Sequence, residues 1–222
     1  MNSHPDDPQA GGWSLLYVAD PLCSWCYGFA PSLAAVRARW PALTINTMLG
    51  GLRVEGEPLD ARLRGLLQHH WDEVARRSGQ PFVPDALQRE GWRYTTEPAC
   101  RAVVTVRELA HAEDAASAPV RALAMFHAVQ TAFYAQGHDA TDADVLADVA
   151  HAQGLDRSRF ATAFGSAEMQ ALTREDFGAA QRLGIRGFPA LVAVRAGQGQ
   201  MVAQGWLAPD EMLAQLDAAF AA

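Results

Sequence analysis

Cys23 and Cys26 are separated by two residues in the stretch Asp20-Pro21-Leu22-Cys23-Ser24-Trp25-Cys26-Tyr27-Gly28-Phe29. A dithiol with that spacing attacks a disulfide with one sulfur and releases it with the other. The thiolate is the nucleophile in such exchange, so whatever favours it sets the reactivity. Trp13 to Ala19, just before the pair, clusters apolar residues as a buried strand does. Phe29, Leu33, Val36 and Trp40, just after it, form a helical stripe. Cys23 thus falls where a strand hands over to a helix. Unpaired N–H groups and the positive end of the helix dipole there favour its thiolate. Cys26 sits one turn further in, on the same side, where it can close a ring with Cys23. Trp25, between the cysteines on a turn expected to be exposed, is placed to touch a substrate. The other reading of the pair, half of a zinc site, lacks its remaining ligands: no second Cys-x-x-Cys and no suitable His pair follows. No metal is therefore expected. Cys100, the third thiol, reads as a buried helix residue acting as a small hydrophobe, and its spacing assigns it no chemistry.

The elements that must hold this pair follow from the periodicity. Strand Trp13–Ala19, the helix from Phe29 that ends before Pro41, and an alternating strand over Leu43–Leu49 make a βαβ unit with parallel strands. Pro31 belongs near the first turns of that helix, or kinks it. From Pro58 the period turns helical. Leu59, Leu63, Leu66, Leu67, Trp71 and Val74 form one stripe, which Gly79-Gln80-Pro81 breaks. Further helices are expected from Glu97, from a Ser117 cap, from a Thr141 cap and from an Asp156 cap. No strand is expected between Gly56 and Gly165. Ser166 opens a last long helix through Met169, Leu172, Phe177, Ala180 and Leu183, ended by Gly184. A strand over Ala190–Arg195, a turn at Gly197–Gly199, a strand over Gln200–Gln204 and a helix from Pro209 complete the chain. Residues 1–12, polar and rich in Pro and Gly, read as a loose tail. This is an α/β fold in two units: residues 13–55 with 166–222, and an all-helical insertion over 56–165.

Of the 222 residues, 50% are hydrophobic and 19% charged, enough for a sizeable core. The formal net charge is -7 and no run of Lys or Arg stands out, so neither nucleic acid nor an anionic membrane is an expected partner. No apolar run spans a bilayer. The first residues, Met-Asn-Ser-His-Pro-Asp-Asp-Pro-Gln, do not read as a secretory signal, so a cytoplasmic location is expected. Three cysteines are too few for a disulfide scaffold, and in a reducing compartment such a pair is redox-active or metal-binding rather than structural.

With Tyr17-Val-Ala-Asp-Pro-Leu-Cys23-Ser-Trp-Cys26-Tyr-Gly-Phe at the strand-to-helix junction, Glu97-Pro-Ala-Cys100-Arg-Ala-Val-Val, and Gly187-Phe188-Pro189 just before a strand, the chain resembles the DsbA-like branch of the thioredoxin superfamily. Within it, the chain is most similar to the FrnE-type group of protein disulfide isomerases and dithiol oxidoreductases. The resemblance implies a thioredoxin fold with an inserted helical domain, and Cys23 and Cys26 as catalytic residues. It implies that Pro189 is cis and that Phe188 offers its amide groups to an extended peptide beside the cysteines. Substrate binding is thus expected at Trp25, Phe188 and Pro189. The dipeptide Ser24-Trp25 stands where DsbA has Pro-His, so no imidazole stabilises a reduced thiolate. Expected partners are protein or peptide disulfides and a recycling reductant or oxidant. No tightly bound cofactor is expected, with glutathione as a redox partner. Two alternatives share the architecture. Kappa-class glutathione transferases and 2-hydroxychromene-2-carboxylate isomerases bind glutathione over the same loop, but typically with Ser at the position of Cys23. A non-catalytic peptide-binding module would use the groove alone. The oligomeric state is open.

Overall fold

Strand β1 (Trp13–Ala19) runs through the middle of a four-stranded sheet in the order β2-β1-β5-β6. The computed structural model describes residues 11–221, so the tail expected over residues 1–12 lies almost wholly outside it. β2 (Ile45–Leu49) pairs parallel to β1, with Leu15 opposite Ile45 and Ala19 opposite Leu49. β5 (Ala190–Arg195) lies antiparallel on the other side of β1, and β6 (Gln198–Gln204) antiparallel to β5. Leu15, Tyr17, Val18 and Ala19 are fully buried, which explains why β1 reads as an apolar run rather than an alternation.

The helix expected from Phe29 is two helices. α1 (Ser24–Gly28) carries the dithiol; α2 (Ala30–Arg39) follows after a break at Phe29, whose N–H bonds the Cys26 carbonyl. Pro31 lies in the first turn of α2, where its missing N–H costs nothing. The apolar stripe runs across the break, because Phe29, Leu33 and Val36 are all buried. A side chain at Gly28 would strike Val74, on the helix Ala61–Ser78, so α1 and that helix approach closely there.

The first helix of the insertion is α3 (Ala61–Ser78). Asp60 caps it by accepting from Leu63 N–H, and Gly79 ends it in a left-handed conformation. Leu63, Leu67, Trp71 and Val74 face inward as expected, but Leu66 is exposed. Trp71 meets Tyr134 at 5.1 Å and Phe82 at 5.4 Å in an aromatic cluster at the centre of the insertion. Contrary to expectation the insertion holds two strands: β3 (Glu57–Pro58) and β4 (Arg93–Tyr94) pair antiparallel. Two residues are too few for any periodicity to show.

α4 (Glu97–Glu113), α5 (Ala118–Gln130), α6 (Ala143–Ala152) and α7 (Arg157–Phe164) complete the insertion. Of three expected caps, two differ from expectation. Ser117 stands at the N-cap of α5, but its hydroxyl donates to the Asp114 carbonyl and caps nothing. Asp142, not Thr141, caps α6, since its carboxylate accepts from Asp144 and Val145; Thr141 instead bonds Asp139. Asp156 caps α7 as expected. α5 runs into a π-helical turn over Thr131–Ala135.

α8 (Ala167–Arg182) starts at the Ser166 cap and buries Met169, Phe177 and Ala180, while Leu183 beyond its end is exposed. The hairpin turn falls at Ala196-Gly197, both left-handed, and not at Gly197–Gly199. A two-residue turn of that kind matches the twist of the strands, so β6 begins at Gln198. α9 (Pro209–Phe220) closes the chain, with Met212 and Leu216 fully buried. One continuous apolar core runs from the sheet into the insertion. Among the described residues no helix is long and apolar enough to cross a membrane.

Candidate active site

Cys23 occupies the N-cap of α1, with extended backbone. Its carbonyl takes the Tyr27 N–H, and its own N–H bonds the Asp20 carbonyl. Those bonds set the thiol at the end of β1, on the first turn of the helix. Cys23 is 6% exposed, and its thiol donates to the Phe188 carbonyl across 3.7 Å. Cys26 is fully buried. Burial, above all, holds its thiol well above the ordinary range, with the hydrogen bond and charge of Cys23 and the charge of Asp20 adding to it. The Tyr17 hydroxyl donates to the Cys26 carbonyl at 3.4 Å. Both thiols are free, as is Cys100.

The Phe188–Pro189 peptide is cis. The Pro189 carbonyl takes the Gly205 N–H at 2.7 Å, which ties this loop to the end of β6. Phe188 itself is half-buried. Its ring lies on Gly50, where any Cβ would overlap it, so Gly50 is the seat of the loop that faces Cys23. Trp25 is not the exposed residue expected from its place between the cysteines. It is half-buried beside Trp206, at 6.4 Å between ring centroids, with the Arg77 guanidinium 5.4 Å over its ring. Trp206 was not singled out in the sequence. Its Nε1–H donates to the Gly28 carbonyl at 2.8 Å and so fixes the loop after β6 to α1.

Asp20 is the second residue that the sequence did not single out. It is fully buried three residues before Cys23. One carboxylate oxygen accepts from Leu22 N–H at 2.9 Å; the other accepts from Leu52 N–H at 2.7 Å and from the Cys100 thiol at 3.4 Å. The Thr96 hydroxyl adds a further contact. Tyr94, also buried, donates its hydroxyl to the Leu22 carbonyl. Both backbone groups of Leu22 are therefore held, and with them the turn that delivers Cys23. Cys100 is fully buried in the first turns of α4, and burial and the neighbouring Asp20 push its thiol well up. It acts here as a hydrogen-bond donor. Among the described residues no three His, Cys, Asp or Glu side chains come together as a metal site.

Burial raises the Asp20 carboxyl, while the contacts from Thr96, Leu52, Leu22 and Cys100 pull it partly back. The folded protein thus retains a proton that the unfolded chain releases at about pH 3.9. Stability from that proton is full below this value and is lost as pH rises through the folded-state value. The unfolding free energy of the native protein, relative to Asp20→Asn, is expected to fall as pH rises from about 4 to about 7. Urea unfolding across that range checks it; a pH-independent difference would contradict the assignment.

Residues 15–217 match the model of the DSBA-like thioredoxin domain. No match was found among curated proteins. Among solved structures, a candidate protein disulfide isomerase from Nitrosomonas europaea is 35% identical, with TM-score 0.80 over 93% of this chain and 96% of its own. The cytosolic disulfide reductase DsbM from Pseudomonas aeruginosa is 29% identical, with TM-score 0.74 over 94% of this chain and 98% of its own; another structure of it holds GSH. A 2-hydroxychromene-2-carboxylate isomerase, 17% identical with TM-score 0.61 over 93% of this chain and 94% of its own, shares the fold. Fold and family model agree: the chain belongs to the DSBA-like thioredoxin family.

Proposed function

We propose that this protein reduces and exchanges peptide disulfides through Cys23 and Cys26, in the cytoplasm, with glutathione as the recycling reductant. The observation that carries this reading is the asymmetry of the pair. Cys23 reaches the surface beside the Phe188 carbonyl, while Cys26 is fully buried and its thiol is held up. In the first step the Cys23 thiolate attacks one sulfur of the substrate disulfide. That S–S bond breaks, a mixed disulfide forms, and the released sulfur takes a proton. Cys26 then gives up its proton and attacks the Cys23 sulfur. The mixed disulfide breaks, the second substrate thiol leaves, and the Cys23–Cys26 disulfide holds the two electrons' worth of oxidation. Two glutathione thiols restore the dithiol and leave as glutathione disulfide.

In this reading Trp25 and the Phe188–Pro189 backbone form the wall along which an extended peptide lies, and Trp206 extends that wall. The cytoplasmic setting and the use of glutathione draw support from the DsbM relative, described as a cytosolic disulfide reductase and crystallised with GSH. The chain shares its architecture with the 2-hydroxychromene-2-carboxylate isomerase, so the glutathione-dependent transferase or isomerase is the competing reading. A paired second thiol at Cys26 favours exchange over that chemistry, which needs no resolving sulfur.

The test supplies insulin and glutathione together. The expected result is one glutathione disulfide released per insulin disulfide reduced, and reshuffling of a scrambled ribonuclease at a mixed glutathione poise. Conjugation of glutathione to an electrophile, with insulin untouched, would replace this function by the transferase reading.

A further inference from the structure

Asp20-Pro21-Leu22-Cys23 is a four-residue turn, closed by the Cys23 N–H on the Asp20 carbonyl at 3.1 Å. Such a turn keeps its first and last Cα atoms within about 7 Å. The fully buried Asp20 side chain is thus carried within one turn of the residue whose sulfur attacks. Four donors meet its carboxyl group. Leu22 N–H and Leu52 N–H can only donate. The Thr96 hydroxyl already accepts the Arg53 N–H at 3.1 Å, which leaves its proton for Asp20. The Cys100 S–H shares the oxygen that Leu52 holds. A carboxylic acid needs an acceptor for its own O–H, and two of these four partners cannot accept. The set therefore suits an ionised carboxylate. None of the four is a cation, so the buried charge is solvated by dipoles but not cancelled.

The origin of the donors is the second observation. Thr96 is the N-cap residue of α4 and Cys100 lies in the first turn of that helix. α4 belongs to the insertion, so the inserted unit reaches under the dithiol at this point. The other ionisable groups around Asp20 are Cys23 and Cys26, Tyr94 of β4 and Tyr134 of the π-helical turn. Burial keeps both tyrosine hydroxyls protonated, so they add no charge. Glu97, on the Cys100 side, is paired with Arg101 at 2.9 Å. Arg53, over the Tyr94 ring at 5.5 Å, is paired with Glu57. The Asp20 charge already bears on the Cys26 thiol, where it acts against ionisation.

We propose that Asp20, kept ionised with the help of the α4 donors, is a positioning residue that holds the dithiol reducing, because its charge opposes a thiolate in the reduced pair. Like charges disfavour each other, the more so where water is excluded. A thiolate exists only in the reduced pair and not in the disulfide. A fixed charge that opposes it therefore disfavours the reduced protein and lowers the reduction potential. The helix start pulls the other way, and Asp20 offsets it. The inference rests on the reading of Cys23 and Cys26 as a redox pair.

The test equilibrates the whole protein, Asp20→Asn and Asp20→Ser with glutathione buffers from about pH 5 to about pH 9, across the carboxyl and thiol ranges. Two uncharged replacements are used because Asn turns an amide N–H onto one of the backbone donors, whereas a Ser hydroxyl still accepts from Leu22 N–H. The expected result is no gap from the native protein at about pH 5 and a gap of about tenfold in the equilibrium constant at about pH 9. Both variants should be the more oxidising; tenfold is about 30 mV. The ultraviolet absorbance of the thiolate should appear about one pH unit lower in both. Carbon-13 NMR should show the native Asp20 carboxyl ionised by about pH 8, and titrating at higher pH in Cys100→Val, which removes one donor. A role confined to shaping the turn would give a gap that does not change with pH. A pH-independent gap, no gap, a gap of opposite sign, or a carboxyl that keeps its proton throughout would overturn the inference and leave the redox pair standing. A midpoint unmoved by Cys100→Val would overturn the part given to α4. Absence of any two-electron transition in the native protein would overturn the redox reading and the inference together.

Discussion

Cys23→Ser is expected to bring insulin reduction down to the uncatalysed background, while Cys26→Ser keeps the first step and loses the second. The asymmetry follows from burial. Of the two, only Cys23 retains any solvent exposure, and its S–H donates away from α1 to the Phe188 carbonyl. Cys26 has none, and its raised proton affinity keeps it a thiol until the mixed disulfide forms next to it. Release of that intermediate by Cys26 is intramolecular, and well-aligned intramolecular groups act at effective concentrations of about 10⁵ M or more. A free thiol at millimolar concentration cannot replace it, so Cys26→Ser should accumulate a mixed disulfide with substrate, visible by intact mass. Alkylation supplies the counter-check. If iodoacetamide labels Cys26 faster than Cys23 in the native protein near neutral pH, the two roles are reversed.

The second large effect is on stability. Arg107 of α4 grips Asp176 of α8 with two parallel bonds, of 2.7 and 3.1 Å, and also reaches the Thr47 carbonyl of β2 at 3.2 Å. Asp176 in turn takes the Leu49 N–H at 3.0 Å. Leu49 precedes Gly50, on which the Phe188 ring rests, so this pair ties the insertion to the strand end beside the active site. Both side chains are mostly buried, at 23% and 13% exposure. Breaking a buried pair from one side costs about 3–5 kcal/mol; here Arg107 keeps Glu108 at 2.9 Å and Asp176 keeps the Leu49 N–H, which places the loss at the low end of that range. Arg107→Met and Asp176→Leu should each lose about 3 kcal/mol in urea unfolding. The double variant should lose clearly less than the sum, because the paired Arg107 and Asp176 charges leave together and, of the remaining charges, only Glu108, which also bonds Arg107 at 2.9 Å, loses a partner. Strict additivity would show that the pair is not coupled.

The parts of this fold that were legible in the sequence rest on local signals. β5 starts at Ala190 and ends at Arg195 as expected, and the Asp156 and Ser166 caps are where their side chains put them. The cysteines sit at the strand-to-helix junction for the same reason. What escaped the sequence depends on long-range contact. Asp20 is held by Leu52, Thr96 and Cys100, and no period in the chain links positions 20 and 100. Trp206 reaches α1 only because β5 and β6 fold back along β1. The break at Phe29 left no mark, since the buried stripe continues through it. Trp25 was placed on an exposed turn from its neighbours alone, and Arg77 and Trp206, remote in sequence, cover it.

The reduction potential of the Cys23–Cys26 pair tests the central claim most directly. Neither Ser24 nor Trp25 brings an imidazole between the cysteines, and the Arg77 guanidinium over Trp25 is already paired with Glu73 at 2.8 Å. The reduced pair thus lacks the stabilisation that makes a strong oxidant. Equilibration with glutathione buffers, followed by acid trapping and peptide mass mapping, should give one two-electron transition. It should join Cys23 to Cys26, leave Cys100 reduced throughout, and lie nearer about -270 mV than about -120 mV. A value near about -120 mV, or an oxidised form that links Cys100 to either active-site cysteine, would contradict the account.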